Sequence, residues 1–149
     1  MTRKRLHHVG IVLPSMDAVE HVMTMFGFEK DYQGFVEAYQ ADLIFTKYGE
    51  HESPIEFIVP YEGSVLKEFN GGKGGIAHIG LEDDVESVRR EFEAKGLEML
   101  EQKAVKGTDD IIVNFLRPKY SEHILVEFIQ KELKVEVHRH GIVAPAETE

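Results

Sequence analysis

The amino-acid sequence predicts an α+β fold of two tandem βαβββ modules that close around one shared site. Two strand-like stretches have nearly the same pattern, residues 6–12 (LHHVGIV) and residues 76–82 (IAHIGLE). Each has a later strand-like partner that contains a glutamate, residues 55–60 (IEFIVP) and residues 125–130 (LVEFIQ). Because apolar residues dominate all four stretches and repeat in the same order, the pattern indicates a duplicated module rather than one continuous fold.

The first module reads as β-α-β-β-β. Its opening strand ends at Pro14, and Ser15 or Asp17 is suited to begin a helix that runs through about Met25. Gly27 is a fitting residue to end that helix. Three more strand-like segments follow, at residues 28–39, 43–48 and 54–59.

The second module repeats this order. After the strand at residues 76–81, Asp83 or Asp84 is suited to begin a helix, and Gly96 to end it. Three strand-like segments again follow, at residues 97–102, 111–116 and 124–129. We therefore predict one domain over residues 1–130, with modules at 5–60 and 75–130, and a polar tail over residues 131–149.

Composition excludes several classes of function. The 149 residues include no cysteine, which removes disulfides, thiolate catalysis and zinc–thiolate sites. The net charge of -10 opposes nucleic-acid binding, which depends on phosphate neutralisation by Lys and Arg. No apolar run approaches the roughly 18 residues of a membrane span, and no secretion signal is recognisable. We expect a cytoplasmic protein without a nucleic-acid or membrane partner.

Two histidines and two glutamates recur at matched places in the two modules. His8 and His78 are 70 positions apart, and Glu56 and Glu127 are 71 apart. A glutamate within an apolar strand is rarely buried unless it is paired or bound to a metal. The alternatives are structural histidines and glutamates on an exposed strand face. The repetition favours one divalent ion (Ni, Co, Zn or Mn) bound by all four residues, with His7 as an alternative to His8.

Several motifs, taken in chain order, carry a family resemblance. HHVGIV at residues 7–12 is followed by SPIEFIVP, GGIAHIGLEDDVESV, NFLRPK and ILVEF. This series resembles the vicinal oxygen chelate superfamily, which includes glyoxalase I and methylmalonyl-CoA epimerase, and it is most similar to the epimerase branch. The resemblance covers residue 6 to roughly residue 130. It implies a cupped mixed β-sheet with helices outside, and metal ligands at His8, Glu56, His78 and Glu127.

The sequence departs from the epimerase pattern at a few places. Ala77 stands where the first histidine of a His-His pair is usual, and Arg117 stands where His is common. Val22 and Met23 lie near the place of a usual Phe-Tyr pair. The four implied metal ligands are unaffected, so these departures concern the substrate.

The resemblance implies an enzyme that moves a proton on the carbon next to a thioester or similar carbonyl. Glu127 is one candidate acid/base group. Glu37, in QGFVE, resembles a base of some epimerases; another alignment places Leu43 there, and Glu37 is then an outward strand carboxylate. The alternatives are a glyoxalase I-type lactoylglutathione lyase and a non-catalytic protein that sequesters a drug.

The substrate implied is a small molecule, either an acyl-CoA or a glutathione adduct. The phosphates of CoA would meet a group of lysines in the last third of the chain, which are otherwise solvated surface residues: Lys103, Lys106 and Lys119. Members of the family are commonly dimers, which implies a homodimer.

Overall fold

The computed structural model describes residues 3–108, 110–131, 135–137 and 143–145. The first module contains β1 (Arg5–Val12), α1 (Met16–Phe26), β2 (Lys30–Val36), β3 (Ala41–Thr46) and β4 (Ile55–Pro60). The second contains β5 (Gly75–Glu82), α2 (Val85–Ala94), β6 (Val105–Lys106), β7 (Ile111–Leu116) and β8 (Val126–Lys131). Short 3-10 helices lie at Glu37–Tyr39, Phe69–Gly72 and Pro118–Tyr120.

Eight strands form one curved mixed sheet in the order β2-β3-β4-β1-β5-β8-β7-β6. The first strands of the two modules, β1 and β5, pair antiparallel at its centre. Within each module the first strand also pairs parallel with the last, β1 with β4 and β5 with β8. The two halves of the sheet therefore have matching topology, and the predicted fold of two βαβββ modules in a cupped mixed sheet is confirmed.

The helices pack on the convex side of the sheet because each has one apolar face. Ser15 accepts a hydrogen bond from the backbone N–H of Ala18 at the start of α1, and Asp84 caps α2 in the same way. Val19 of α1 packs with Phe57 of the first module. Val88 of α2 belongs to the apolar cluster that contains Phe128 of the second module.

The prediction of a strand at residues 97–102 is wrong. Only a single bridge joins Met99 to Leu116 there. The fully buried side chain of Asn114 explains this difference, because its Nδ2 donates to the Glu101 carbonyl and its Oδ1 accepts from the Glu101 N–H. A side chain thus takes the backbone partners that a strand would use, and the edge strand is the two-residue β6 instead.

The two edges of the curved sheet meet. Tyr32 of edge strand β2 and Thr108, just beyond edge strand β6, lie with their hydroxyl oxygens 3.1 Å apart. A Cβ at Gly34 would lie 2.8 Å from Thr108 Cγ2, so the glycine allows this close approach. The concave face therefore encloses a space between the modules.

The predicted tail over residues 131–149 is only partly described. Lys131 ends β8, and two short strands, Val135–Val137 (β9) and Val143–Pro145 (β10), form a separate antiparallel pair. The other tail residues, 132–134, 138–142 and 146–149, lie outside the described residues. Among the described helices, none has the length and apolar character needed to cross a membrane.

Candidate metal centre

Two glycines at the centre of the sheet organise the site. Gly10 of β1 lies in register with Glu56 on one side and His78 on the other. Gly80 of β5 lies in register with Glu127 and with His8. Side chains in register on neighbouring strands point to the same face of a sheet, and so do residues two apart on one strand. The two histidines and two glutamates therefore converge on the concave face.

Each imidazole lies directly over the glycine of the other module. A Cβ at Gly10 would be 2.0 Å from His78 Cε1, and a Cβ at Gly80 would be 2.2 Å from His8 Cε1. Any other residue at either position would push the ring away, because real Cβ contacts are not this short. This packing explains why the sequence repeats a histidine followed two residues later by glycine.

The four side chains are buried and close together, with exposed fractions of 0% for His8, 5% for Glu56 and His78, and 6% for Glu127. The Nε2 atoms of the two histidines are 2.9 Å apart. His8 Nε2 lies 3.1 Å from Glu127 Oε1 and 3.6 Å from Glu56 Oε1. His78 Nε2 lies 3.3 Å from Glu56 Oε1 and 3.7 Å from Glu127 Oε1.

These distances fit the donor atoms of a single small cation. Ligands about 2.1 Å from a tetrahedral ion lie about 3.4 Å from one another. Donor atoms of His8, His78 and Glu127 all lie within 4.8 Å of one another, and Glu56 contacts both imidazoles from outside this set. Glu127 Oε1 is buried and makes no hydrogen bond among the described residues, as expected of an atom whose partner is an ion.

Aromatic rings hold the histidines from the sides. Phe45 and Phe115 are in register with Glu56 and Glu127, respectively, on the strands just outside them. His8 packs edge-to-face against Phe45 with ring centroids 5.6 Å apart, and His78 packs against Phe115 at 5.9 Å. The imidazole planes are thus fixed on both sides of the site.

His7 contacts the outer nitrogen of His8. Strand β1 has a bulge at this point, because Leu6 pairs with Leu81 and His8 pairs with Gly80, leaving His7 without a partner on β5. The bulge brings the Nδ1 atoms of His7 and His8 to 2.8 Å from each other. If His8 Nε2 is to bind a metal, its Nδ1 carries the proton and donates to His7, which fixes the tautomer.

In the cluster, contact with opposite charges offsets the cost of burying the ionised forms of His78 and Glu127. Burial disfavours the protonated form of His78, but contact with Glu56 and the negative charges of Glu127 and Glu56 outweigh it, so the pKa of His78 is raised. Burial also opposes ionisation of Glu127, yet contact with His8 and the charge of His78 lower the pKa of that carboxyl below its usual value. Burial, followed by the charge of His8, lowers the pKa of His7.

A cavity of about 200 Å³ opens above the cluster, and Glu56, His78 and Glu127 lie in its wall. Leu43, the alternative to Glu37 from the sequence, lines this cavity. Glu37 does not: the chain leaves β2 and turns into a 3-10 helix there, and its side chain is exposed. The structure therefore does not bring Glu37 to the other predicted site residues.

Tyr39, two residues later, lines the cavity and was not indicated by the sequence. Its hydroxyl is buried and makes no hydrogen bond among the described residues. Burial and the nearby charges of Glu127, Glu101 and Glu56 raise its pKa, so the phenol stays a hydrogen-bond donor. No motif marks it, because a tyrosine near the end of a strand is common in protein cores.

The three lysines expected near a CoA phosphate do not line this cavity, although Lys106 directly precedes Gly107, which does. None of them is among the described residues that line it, and all three side chains are exposed: Lys103, Lys106 and Lys119. Lys119 Nζ lies over the neighbouring Tyr120 ring, 5.0 Å from its centroid.

Fold and site together define a class: a duplicated α+β protein with a His/Glu centre shared by two modules. The sequence model of the glyoxalase/bleomycin resistance protein/dioxygenase superfamily matches residues 7–115. The chain belongs to this superfamily, as its motifs predicted. No curated protein sequence matches the chain significantly.

Solved structures with the same fold include methylmalonyl-CoA epimerases. One, from Streptomyces coelicolor in complex with 2-nitronate-propionyl-CoA, is 24% identical with a TM-score of 0.79 over 87% of this chain and 96% of its own. The enzyme from Mycobacterium tuberculosis is 22% identical with a TM-score of 0.77, over 84% and 86%. A hypothetical protein from Bacillus halodurans is 25% identical with a TM-score of 0.77, over 91% and 99%.

The glycine packing predicts that Gly10→Ala weakens metal binding. The new methyl group would displace the His78 ring, so we expect the affinity for Co²⁺ or Zn²⁺ to fall by about 100-fold in calorimetric titration. Gly49→Ala is the matched control, because a Cβ there would meet no atom closer than 3.4 Å. Equal affinities for Gly10→Ala and the wild type would contradict this packing.

The charge balance predicts the pH dependence of stability in the metal-free protein. Because folding raises the pKa of His78, its ion pairs add to the free energy of unfolding at pH values below its unfolded pKa of 6.5. This added stability is lost as the pH rises through the folded pKa. Folding lowers the pKa of Glu127, so its carboxylate adds to the free energy of unfolding above its unfolded pKa of 4.5. That added stability is lost on acidification. Urea denaturation between about pH 6.5 and about pH 8.5 should show a larger loss of stability for wild type than for His78→Gln. Equal losses would argue against the pairing.

Proposed function

We propose that the protein is a metal-dependent epimerase that moves a proton on the carbon next to a thioester or similar carbonyl. The observation that carries this proposal is the buried cluster of His8, Glu56, His78 and Glu127, of which the last three lie in the wall of an open cavity. Two imidazoles and two carboxylates suit a borderline divalent ion such as Co, Ni, Zn or Mn. When bound, such an ion holds two substrate oxygens and stabilises the negative charge that follows loss of the C–H proton.

The chain's own residues would carry the proton. Epimerisation needs an acid/base group on each face of the reacting carbon. Glu127 would accept the proton once its carboxylate is released from the ion, and its Oε1 has no hydrogen-bond partner among the described residues. Glu56, its counterpart in the first module, also lines the cavity and would act on the opposite face under the same condition.

The neighbouring structures support this substrate class. The epimerase from S. coelicolor is complexed with a propionyl-CoA nitronate, and another epimerase structure contains methylmalonyl-CoA. Both ligands are CoA thioesters. We propose the same class for this chain, as a small-molecule substrate. The homodimer and the cytoplasmic location expected from the sequence stay predictions.

One further variant, at Glu56, distinguishes two kinds of alternative function. A glyoxalase I-type lyase would use the same four residues on a glutathione hemithioacetal. A drug-sequestering protein is favoured by one observation, the mostly apolar lining of the cavity. Glu56→Ala should abolish turnover in either enzyme but leave ligand binding intact in a sequestering protein.

The proposal predicts exchange of the α-hydrogen of methylmalonyl-CoA in D₂O by the metal-loaded protein, followed by NMR. Glu127→Gln should reduce the exchange rate by about 10³-fold, the usual contribution of a positioned acid/base group. The metal content of the variant is measured in the same sample, because Glu127 also contacts His8.

Glu37→Gln is the matched control for this exchange, since its carboxylate is exposed. Its rate should equal that of the wild type. If the metal-loaded wild type exchanges no hydrogen but turns over the hemithioacetal of methylglyoxal and glutathione, the protein is the lyase and not the epimerase.

A further inference from the structure

The cavity has one polar wall and is otherwise apolar. Its polar wall is formed by Glu56, His78 and Glu127, and no described Lys, Arg, Asp, Asn or Gln side chain lines it. The apolar lining comes from both modules and includes Val36, Leu43, Ile58, Val113, Phe115 and Leu125. A charged group placed among these side chains would lose its hydration without gaining a partner.

Two other polar groups face this space. The hydroxyl of Thr108 already contacts that of Tyr32 across the sheet edges. The Tyr39 hydroxyl is a buried donor without a hydrogen bond among the described residues. The apolar part of the cavity can therefore satisfy at most one isolated hydrogen-bond acceptor. This excludes from it a chain of amides such as the pantetheine arm of CoA.

The space arises from a difference between the two modules. The pairing of β1 with β5 is irregular at two corresponding places, beside His8 and beside His78, and the extra residues are His7 and Ala77. His7 fills its side with an imidazole and faces a polar pocket that also contains Arg5 and Tyr48. Ala77 contributes only a methyl group, so the cavity on its side stays open.

The apolar lining continues to the surface. Val65 lines the cavity although 85% of its surface is exposed, and Leu100 lines it with 41% exposed. Exposed apolar residues that extend a cavity of this kind are typical of a binding surface. The polar pocket on the His7 side shares Phe45, Ile111 and Ile129 with the cavity, so a polar space adjoins the apolar one.

We propose that the substrate carries, on the carbon next to the metal-bound oxygens, an apolar substituent much larger than a methyl group, such as an alkyl chain of several carbons or an aryl ring. The volume of about 200 Å³ is that of about seven water molecules and must hold the chelated end of the substrate as well as its substituent. A methyl group, about the size of one water molecule, would leave much of the apolar lining uncovered. This inference rests on the proposed function, because the chelated end of the substrate is assigned to the metal.

The test is the affinity of the metal-loaded protein for methylmalonate, ethylmalonate and butylmalonate, measured by calorimetry. Malonates present two oxygens to the ion and differ only in the substituent. Each methylene buried in the cavity should raise affinity about fourfold, so butylmalonate, with three more methylenes, should bind roughly 60-fold tighter than methylmalonate. Val65→Asp should lower the affinity for butylmalonate by a larger factor than the affinity for methylmalonate, because Val65 lines the apolar part of the cavity.

Met25→Asp is the matched control, because it makes the same charge change at an apolar residue of α1 that is 58% exposed and does not line the cavity. Its preference should equal that of the wild type. A flat or falling series, or no binding of any malonate to metal-loaded protein, overturns the inference while the metal centre stands. If affinity rises along the malonate series but no α-hydrogen exchange is seen, the epimerase proposal is overturned and the inferred specificity for an apolar substituent stands. Failure to bind metal overturns both.

Discussion

The reciprocal packing of each histidine over a glycine of the other module is the contact on which the rest of the site depends. His8 lies over Gly80 and His78 lies over Gly10, so neither module can form the centre alone. The antiparallel pairing of β1 with β5 sets this register, and the parallel pairing within each module adds Glu56 and Glu127. The duplication thus makes a single four-residue centre out of two two-residue halves.

The repeated part of the chain could be predicted from its sequence, because burial and repetition both leave a signal there. A glutamate between apolar neighbours, as in IEFI, has few explanations, and its recurrence 71 positions later leaves fewer. The helix starts were predicted from capping preference as Ser15 or Asp17 and as Asp83 or Asp84, and the caps are Ser15 and Asp84. These features are local, so a single sequence records them.

The unrepeated part could not be predicted, since it depends on contacts between distant segments. The hydrogen bonds of Asn114 with Glu101 replace a predicted strand. A turn after Val36 exposes Glu37 and directs Tyr39 into the cavity. The bulge that brings His7 to His8 is equally invisible in the sequence, where alternation along a strand places the two side chains on opposite faces.

This division has a consequence for function. The symmetrical residues at the sheet centre form a His/Glu cluster whose donor atoms are close enough to hold one ion. The asymmetrical residues around it, such as His7 against Ala77, give one side of the cup a polar character and the other an apolar one. In this account the centre determines which bond reacts, and the cavity determines which substrate enters.

The most direct measurement is the Co²⁺ content and visible spectrum of the dialysed protein. The account predicts one ion per chain, with the intense bands of a four- or five-coordinate site, and loss of that ion in His8→Ala and in His78→Ala alike. His21→Ala, at an exposed residue of α1, should retain it. An ion that survives loss of either central histidine, or no retained ion in the wild type, would contradict a centre shared by the two modules.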